Sequence, residues 1–346
     1  MKKVIVGMSG GVDSSVTAYL LKEQGYEVIG ATMLTRDGAE GECQDARLVA
    51  DHLGIAHHVI DLRKEFRDMV IEHFISSYLA GKTPNPCIVC NPLLKWGAFY
   101  DACKGLGAEL FATGHYARIL KLDDDRYTLQ NASAIQKDQT YVLWRLSQEQ
   151  LARTLMPLGT YEKAQVREIA EQLQLPVAQK KDSQDICFIP DGDYAGFIRR
   201  EAGHLGKRGH FVMEEEGERK VVGSHEGTVQ YTIGQRKGLG VAVGRPVYVY
   251  KIEPETGQVF LGDHDRLMKK SLIASDLNYM GEGRFAEGKV YLAKTRYTQK
   301  MSPCRVTYLA EDQIRVDFEE PVRAITPGQS VVLYTDDWIA GGGVID

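Results

Sequence analysis

Val4-Ile5-Val6-Gly7-Met8-Ser9-Gly10-Gly11-Val12-Asp13-Ser14-Ser15 is an apolar strand pattern that runs into a glycine turn and opens a helix. Glycines in such a turn accept positive φ and leave bare backbone amides facing outward, so an anion is the natural occupant. Ser14 and Ser15 add hydroxyls at the N-terminus of the following helix, where the peptide dipoles favour negative charge. No Lys-Ser or Lys-Thr pair follows the glycines, which argues against the mononucleotide loop whose lysine reaches the β and γ phosphates. The plain alternative is a glycine turn in a nucleotide-free α/β domain. Strand, glycines, Asp13 and two serines nonetheless coincide at a first βα turn, where such sheets bind ligands.

Outward from this stretch, residues 3 to 115 alternate strand and helix patterns: Val4–Val6, Val16–Gln24, Val28–Met33, Asp45–Leu53, His58–Ile60. That rhythm predicts a parallel sheet with helices on both faces, closing with a strand at 110–113. Longer amphipathic patterns predict helices over 63–79 and 93–106, then over 147–153 and 161–173. Between the first two, Pro84, Pro86 and Pro92 predict a shaped loop that carries Cys87 and Cys90. Cys187 falls in a second turn-rich stretch, 181–190. Beyond residue 195 β-branched and aromatic residues alternate between closely spaced glycines, which predicts short strands closing into small barrels. The expected units are 1–195, 196–268 and 269–346, with Glu214-Glu215-Glu216 a solvated hairpin tip.

The chain has 346 residues, enough for two or three domains, and a net charge of −5 that gives no global basic footprint for nucleic acid. No apolar leader or run of about 18 apolar residues is present, so a cytoplasmic protein without membrane partners is expected. Six cysteines in such a chain do not suggest a disulfide framework. Cys43, Cys103 and Cys304 lie in helix or strand patterns and are expected to be buried as small hydrophobes.

Ser9-Gly10-Gly11-Val12-Asp13-Ser14 resembles the pyrophosphate-binding loop of the ATP pyrophosphatases. Further motifs resemble one family within them, the tRNA-uridine 2-sulfurtransferases. These are Cys90 and Cys187 on their stretches, Ala112-Thr113-Gly114-His115-Tyr116-Ala117-Arg118, Lys137-Asp138-Gln139-Thr140-Tyr141, Gly234-Gln235-Arg236-Lys237-Gly238-Leu239-Gly240 and Pro327-Gly328-Gln329. They occur in order along the whole chain.

The resemblance implies ATP at Gly7, Met8, Ser9, Gly10, Gly11, Val12, Asp13, Ser14, Met33 and Gly114, with Asp13 helping to hold Mg²⁺. It implies adenylation of the C2 oxygen of a tRNA wobble uridine, release of pyrophosphate, and sulfur delivered from a persulfide on Cys187. Cys90 then attacks that persulfide, leaving a Cys90-Cys187 disulfide for a reductant to reopen. Asn85, Pro86 and Cys87 match positions beside the flipped base; His115, Lys137, Asp138, Gln139, Arg296, Tyr297 and Gln329 match positions that contact tRNA. Arg296 and Tyr297 make sense as a phosphate clamp and a stacking surface, in a segment that Lys289, Lys294 and Lys300 bias towards positive charge. The partners implied are tRNA and a sulfur donor, a cysteine desulfurase or a carrier protein, with the enzyme a monomer.

Cys87 departs from the family pattern, which carries Asp three residues before the first catalytic cysteine. A thiol replaces that acid/base role poorly. Cys87, Cys90 and Cys187 also offer three thiolates for an iron-sulfur cluster, and a zinc site with His115 is a third reading. Two rivals stand beside thiolation. A small-molecule adenylating synthetase uses the same loop but leaves the cysteines and the β tail idle. A non-catalytic RNA-binding protein has no need of Asp13.

Overall fold

The computed structural model describes residues 2–181, 186–215 and 217–346. β1 (Lys3–Gly7) is the middle of a five-stranded parallel sheet and is buried on both faces. Its alternation separates two cores: Val4 and Val6 join Val16, Leu21, Val49 and Ala50, whereas Ile5 joins Phe66, Phe74, Trp96 and Phe111. β2 (Glu27–Leu34), β3 (Ala56–Asp61) and β4 (Leu110–Ala112) follow the βα rhythm. β5 (Arg118–Lys121) and β6 (Tyr127–Gln130) leave as a hairpin, and β7 (Thr154–Leu155) returns to give the order β3-β2-β1-β4-β7. The sheet therefore extends one strand past the expected end at 110–113.

α1 (Val12–Glu23) and α2 (Glu40–Leu53) cover one face, α2 starting five residues before the expected Asp45. The other face carries the helix over 63–79, π-helical at Arg67–Ile71, and the segment from residue 86 onward. That segment corrects the sequence reading. Pro86 opens a helix because proline costs nothing at a first helical position, and the Asn85 carboxamide oxygen accepts from the Cys87 amide at 3.1 Å as the N-cap. Cys87 lies in Pro86–Val89 and Cys90 begins the π-helical Cys90–Phe99, so both stand on a helix and not on a loop. Pro92 is accommodated by that wide register, which breaks at Gly97 (φ −102°, ψ −106°).

The central unit has β8 (Gly209–Glu215), β9 (Glu218–His225), β10 (Tyr248–Glu253) and β11 (Gln258–Gly262), ordered β10-β11-β8-β9. Its hairpin tip is partly paired and not simply solvated: Glu214 accepts from the Tyr250 hydroxyl at 2.7 Å and Glu215 pairs with Arg245, while Glu216 lies outside the described residues. β12 (Met268–Tyr279), β13 (Tyr291–Lys294), β14 (Ser302–Ala310), β15 (Gln313–Arg323), β16 (Ser330–Thr335) and β17 (Trp338–Ile345) form a closed six-stranded antiparallel barrel, because β12 pairs with both β15 and β17. Sequence patterning did not mark β12 or β17. β17 carries Gly341-Gly342-Gly343, which reads as turn, yet a Cβ at Gly342 would lie 2.8 Å from the Trp144 ring. The β5–β6 hairpin from the first unit docks on this barrel, with Gln130 opposite Trp338. Among the described residues no helix is long and apolar enough to cross a membrane.

Candidate active site

The glycine loop leaves β1 at the carboxyl edge of the sheet. The Met8 amide donates to the Ala31 carbonyl at 2.7 Å and the Thr32 hydroxyl to the Met8 carbonyl at 2.8 Å, so the loop is anchored before the glycines begin. Gly10 takes φ +67°, and a Cβ there would sit 2.5 Å from the Glu42 carbonyl oxygen and 2.9 Å from the Asp45 Cβ. Gly11 is extended (φ −108°, ψ 165°) and caps α1 without a side-chain hydrogen bond, leaving first-turn amides for an external anion. The positive φ expected of both glycines is thus found at Gly10 only. Ser14 and Ser15 are buried and donate to the Gly11 carbonyl at 3.1 and 2.8 Å, while Ser9 lies 3.3 Å from Ser14 oxygen to oxygen. Ser15 therefore supports the turn from behind. Gly114 approaches the helix so closely that a Cβ would lie 2.9 Å from the Ser14 nitrogen. Met33, at the end of β2, stands opposite Ile60.

Asp13 departs from its expected role. Its two carboxylate oxygens accept from the Lys163 ammonium at 2.7 and 2.8 Å, and Oδ1 accepts from the Tyr116 hydroxyl at 2.9 Å. A carboxylate committed in this way does not present a hard-cation site. Lys163 opens the helix Lys163–Gln172, and Lys180 donates to the Gly10 carbonyl at 3.0 Å and to Asp45 at 2.7 Å. These are the cations the local motif lacked. They come from 150 and 170 residues downstream, and no spacing signal links them to the loop.

The three thiols of the two cysteine stretches are within electrostatic reach of one another. Cys90, half-buried, is coupled electrostatically to Cys187, Cys87 and Lys95; Cys187, exposed, to Cys87, Lys95, Arg36 and Glu42, whose carbonyl backs Gly10. Desolvation pushes the Cys90 thiol up to about 12 against the pull of Lys95, and raises the Cys187 thiol as well. Lys95, which also donates to Asn91 at 2.9 Å, is a site cation the sequence reading missed. The Asp182–Asp185 part of the second cysteine stretch lies outside the described residues. Among the described residues no three His, Cys, Asp or Glu side chains are arranged to hold a metal ion, so the cluster and zinc readings lack an assembled ligand set and carry no step here. Cys43, Cys103 and Cys304 are buried, as expected.

The residues matched to RNA contact divide into two groups. Tyr297 is 39 % exposed and its ring lies 6.2 Å from that of Tyr141, within electrostatic reach of Cys87 and Asp138. Lys137 ends the turn Ile135–Lys137, half-buried. Asp138, by contrast, is buried: its carboxylate accepts from the Ala132 amide at 3.0 Å and the Thr140 hydroxyl at 2.6 Å, and desolvation raises its pKa. Its side chain holds a turn. The Gln139 Oε1 accepts from the Tyr116 amide at 3.0 Å, which fixes the backbone beside His115. His115 is paired to the Thr113 hydroxyl at 2.7 Å, and desolvation, then Lys95, holds it neutral. The Arg296 guanidinium bridges the Ile233 carbonyl at 2.9 Å and the Thr326 hydroxyl, which ties it to two protein segments. Gln329 donates to the Thr83 carbonyl at 2.7 Å. The Gln235 carboxamide accepts from the Thr232 amide at 3.1 Å and donates to the Lys237 carbonyl at 3.1 Å, while its backbone carbonyl accepts from the Val249 amide of β10 at 3.0 Å.

A parallel-sheet domain with an anion-ready loop backed by distant lysines, and three thiols within electrostatic reach of one another, fits a sulfur-transferring enzyme built on a nucleotide-binding fold. Three family models match in succession: the tRNA methyl transferase HUP domain over residues 2–191, the tRNA methyl transferase PRC-barrel domain over residues 196–263, and the aminomethyltransferase beta-barrel domain over residues 269–345. The tRNA-specific 2-thiouridylase MnmA of Lachnoclostridium phytofermentans is 47% identical over 358 residues, covering 100% of this chain and 99% of that one. MnmA 2 of Clostridium botulinum strain Hall is 48% identical over 349 residues, covering 99% and 98%. The chain belongs to the tRNA-specific 2-thiouridylase family. Among solved structures a 4-thiouridine synthetase–RNA complex with bound ATP reaches a TM-score of 0.37 at 19% identity, covering 56% of this chain and 46% of that one, a likeness too low to carry an argument.

Proposed function

We propose that this enzyme 2-thiolates the wobble uridine of tRNA at the expense of ATP. The observation that supports the reading is an uncapped, glycine-built helix N-terminus, in a chain of this family whose Cys90, Cys187 and Lys95 are within electrostatic reach of one another. The C2 oxygen attacks the α-phosphorus of ATP and pyrophosphate leaves, its charge met by the first-turn amides of α1 and by Lys163. The terminal sulfur of a Cys187 persulfide attacks the activated C2, and the C2–O bond breaks to release AMP. Cys90 attacks the Cys187 sulfur, the S–S bond breaks towards the base as 2-thiouridine, and a Cys90-Cys187 disulfide remains for a dithiol to reduce. Asn85, Pro86, Tyr297 and Lys137 are assigned to the extruded base and its flanking backbone. The units 1–195, 196–268 and 269–346 serve as nucleotide domain, central brace and RNA-facing barrel. Sulfur arrives from a cysteine desulfurase or a carrier, and the enzyme acts in the cytoplasm as a monomer.

Single-turnover thiolation of a wobble-uridine tRNA by persulfide-loaded protein with ATP and magnesium tests this. One 2-thiouridine, one AMP and one disulfide per active site are expected. Pyrophosphate release that a small acid stimulates and tRNA does not would instead favour the small-molecule synthetase.

A further inference from the structure

The segment immediately before the cysteine helix is held from two other domains at once. The Thr83 amide donates to the Pro327 carbonyl at 2.8 Å, and the Gln329 carboxamide returns a bond to the Thr83 carbonyl at 2.7 Å. Gly328 lies between them at φ +86°, where a Cβ would be 2.8 Å from the Lys82 Cβ and 3.0 Å from the Thr83 nitrogen. From the central unit, Thr232 meets the Thr83 hydroxyl at 3.4 Å, and Pro254 lies 3.1 Å from where a Cβ on Gly81 would be. Arg296 ties the two clasping elements together through Ile233 and Thr326. Ser330, the next residue after Gln329, exchanges hydrogen bonds with Tyr141 at 2.9 and 3.3 Å and accepts from Trp144 at 3.0 Å, so the turn is itself fixed. Two residues beyond Thr83, Asn85 caps the helix that presents Cys87 and Cys90.

We propose that the barrel turn Pro327-Gly328-Gln329 is a positioning device for the cysteine helix: it fixes the segment from which Asn85 caps the helix, and so sets how far the Cys90 thiol is shielded before any RNA arrives. Gln329 and Arg296 are positioning residues in this state, whatever they touch once RNA is bound. The proposal rests on the reading of Cys90 as a reacting thiol, but its readout requires neither ATP nor RNA.

The test is the rate of Cys90 alkylation by iodoacetamide in the full-length reduced protein, mapped by mass spectrometry, with Gly328→Ala set against Gly288→Ala. Gly288 shares the positive φ (+81°) and the same barrel, but open space surrounds the position a Cβ would take, so it carries the backbone strain without touching the clasp. Gly328→Ala is expected to speed Cys90 alkylation roughly tenfold, as a locally opened segment exposes it, while Gly288→Ala matches the wild type. Equal rates in all three proteins, or equal acceleration in both variants, overturn the proposal. If Gly328→Ala does not fold, Gln329→Ala replaces it, with roughly threefold acceleration expected from one lost hydrogen bond and an unchanged rate decisive against. Accelerated alkylation in a protein that thiolates no tRNA would leave the clasp standing and remove the function proposed above.

Discussion

The glycine loop at residues 9–14 and the cysteine helix at 85–90 belong to the same unit, but they are held in different ways. The loop is closed by its own neighbours: β2 anchors Met8, Gly10 wedges under α2, and the serines bond back to Gly11. The cysteine helix depends on Asn85 for its cap, and the segment before it depends on residues 232, 254 and 327–329. A nucleotide cradle can be local because backbone amides supply its chemistry. Under the proposed function, thiols that meet a base held by other domains need those domains to set their position.

The sharpest separation of the two regions comes from Cys90→Ser, which is expected to cut single-turnover thiolation by at least about 10³-fold, since a serine cannot resolve a persulfide. Measured as 2-thiouridine formed per active site, a loss smaller than tenfold would remove Cys90 from the chemistry. On the loop side, Lys163→Met should lower the rate of ATP-dependent pyrophosphate release by about 10²-fold. An unchanged rate would mean that the loop acts alone, and would make it more local still. Gly10→Ala adds a Cβ at positive φ against the Glu42 carbonyl and should cost about 2 kcal/mol, a fall in Tm of about 4 °C by calorimetry.

The smallest effect concerns the helix. Burial raises the Cys90 pKa to about 12, so its reactive thiolate is a minor species at neutral pH and grows with each unit of pH. Alkylation at Cys90 should therefore rise about tenfold per unit between pH 7 and 9 without a plateau. Lys95→Met, by removing the cation that lowers this pKa, should slow the reaction a few-fold at every pH in that range. A plateau below pH 9 would mean that the surroundings of Cys90 lower its pKa and do not raise it.

The parallel sheet was readable because β1 alternates between two cores and each βα turn carries its own glycine or polar signal. The barrel was readable as a class, while β17 was hidden by three glycines whose purpose, room for Trp144 and neighbouring backbone, exists only after folding. Proline spacing misled at 84–92. Pro86 reads as a helix breaker in a run of prolines, yet at a first helical turn behind an asparagine cap it is a helix starter.

By itself the sequence determined the nucleotide domain, the family resemblance and the identity of the thiols, because these rest on local backbone chemistry and on ordered motifs. Tertiary structure alone decided that Lys163 and Lys180 serve the loop, that Lys95 stands near the thiols, that Asp138 is a buried brace, and that Arg296 and Gln329 bind protein in the free enzyme. The physical reason is distance along the chain. A charge or an amide bond brought from 150 or more residues away leaves no local pattern, and whether a polar side chain meets solvent, RNA or a neighbouring carbonyl is set only when the domains close around it.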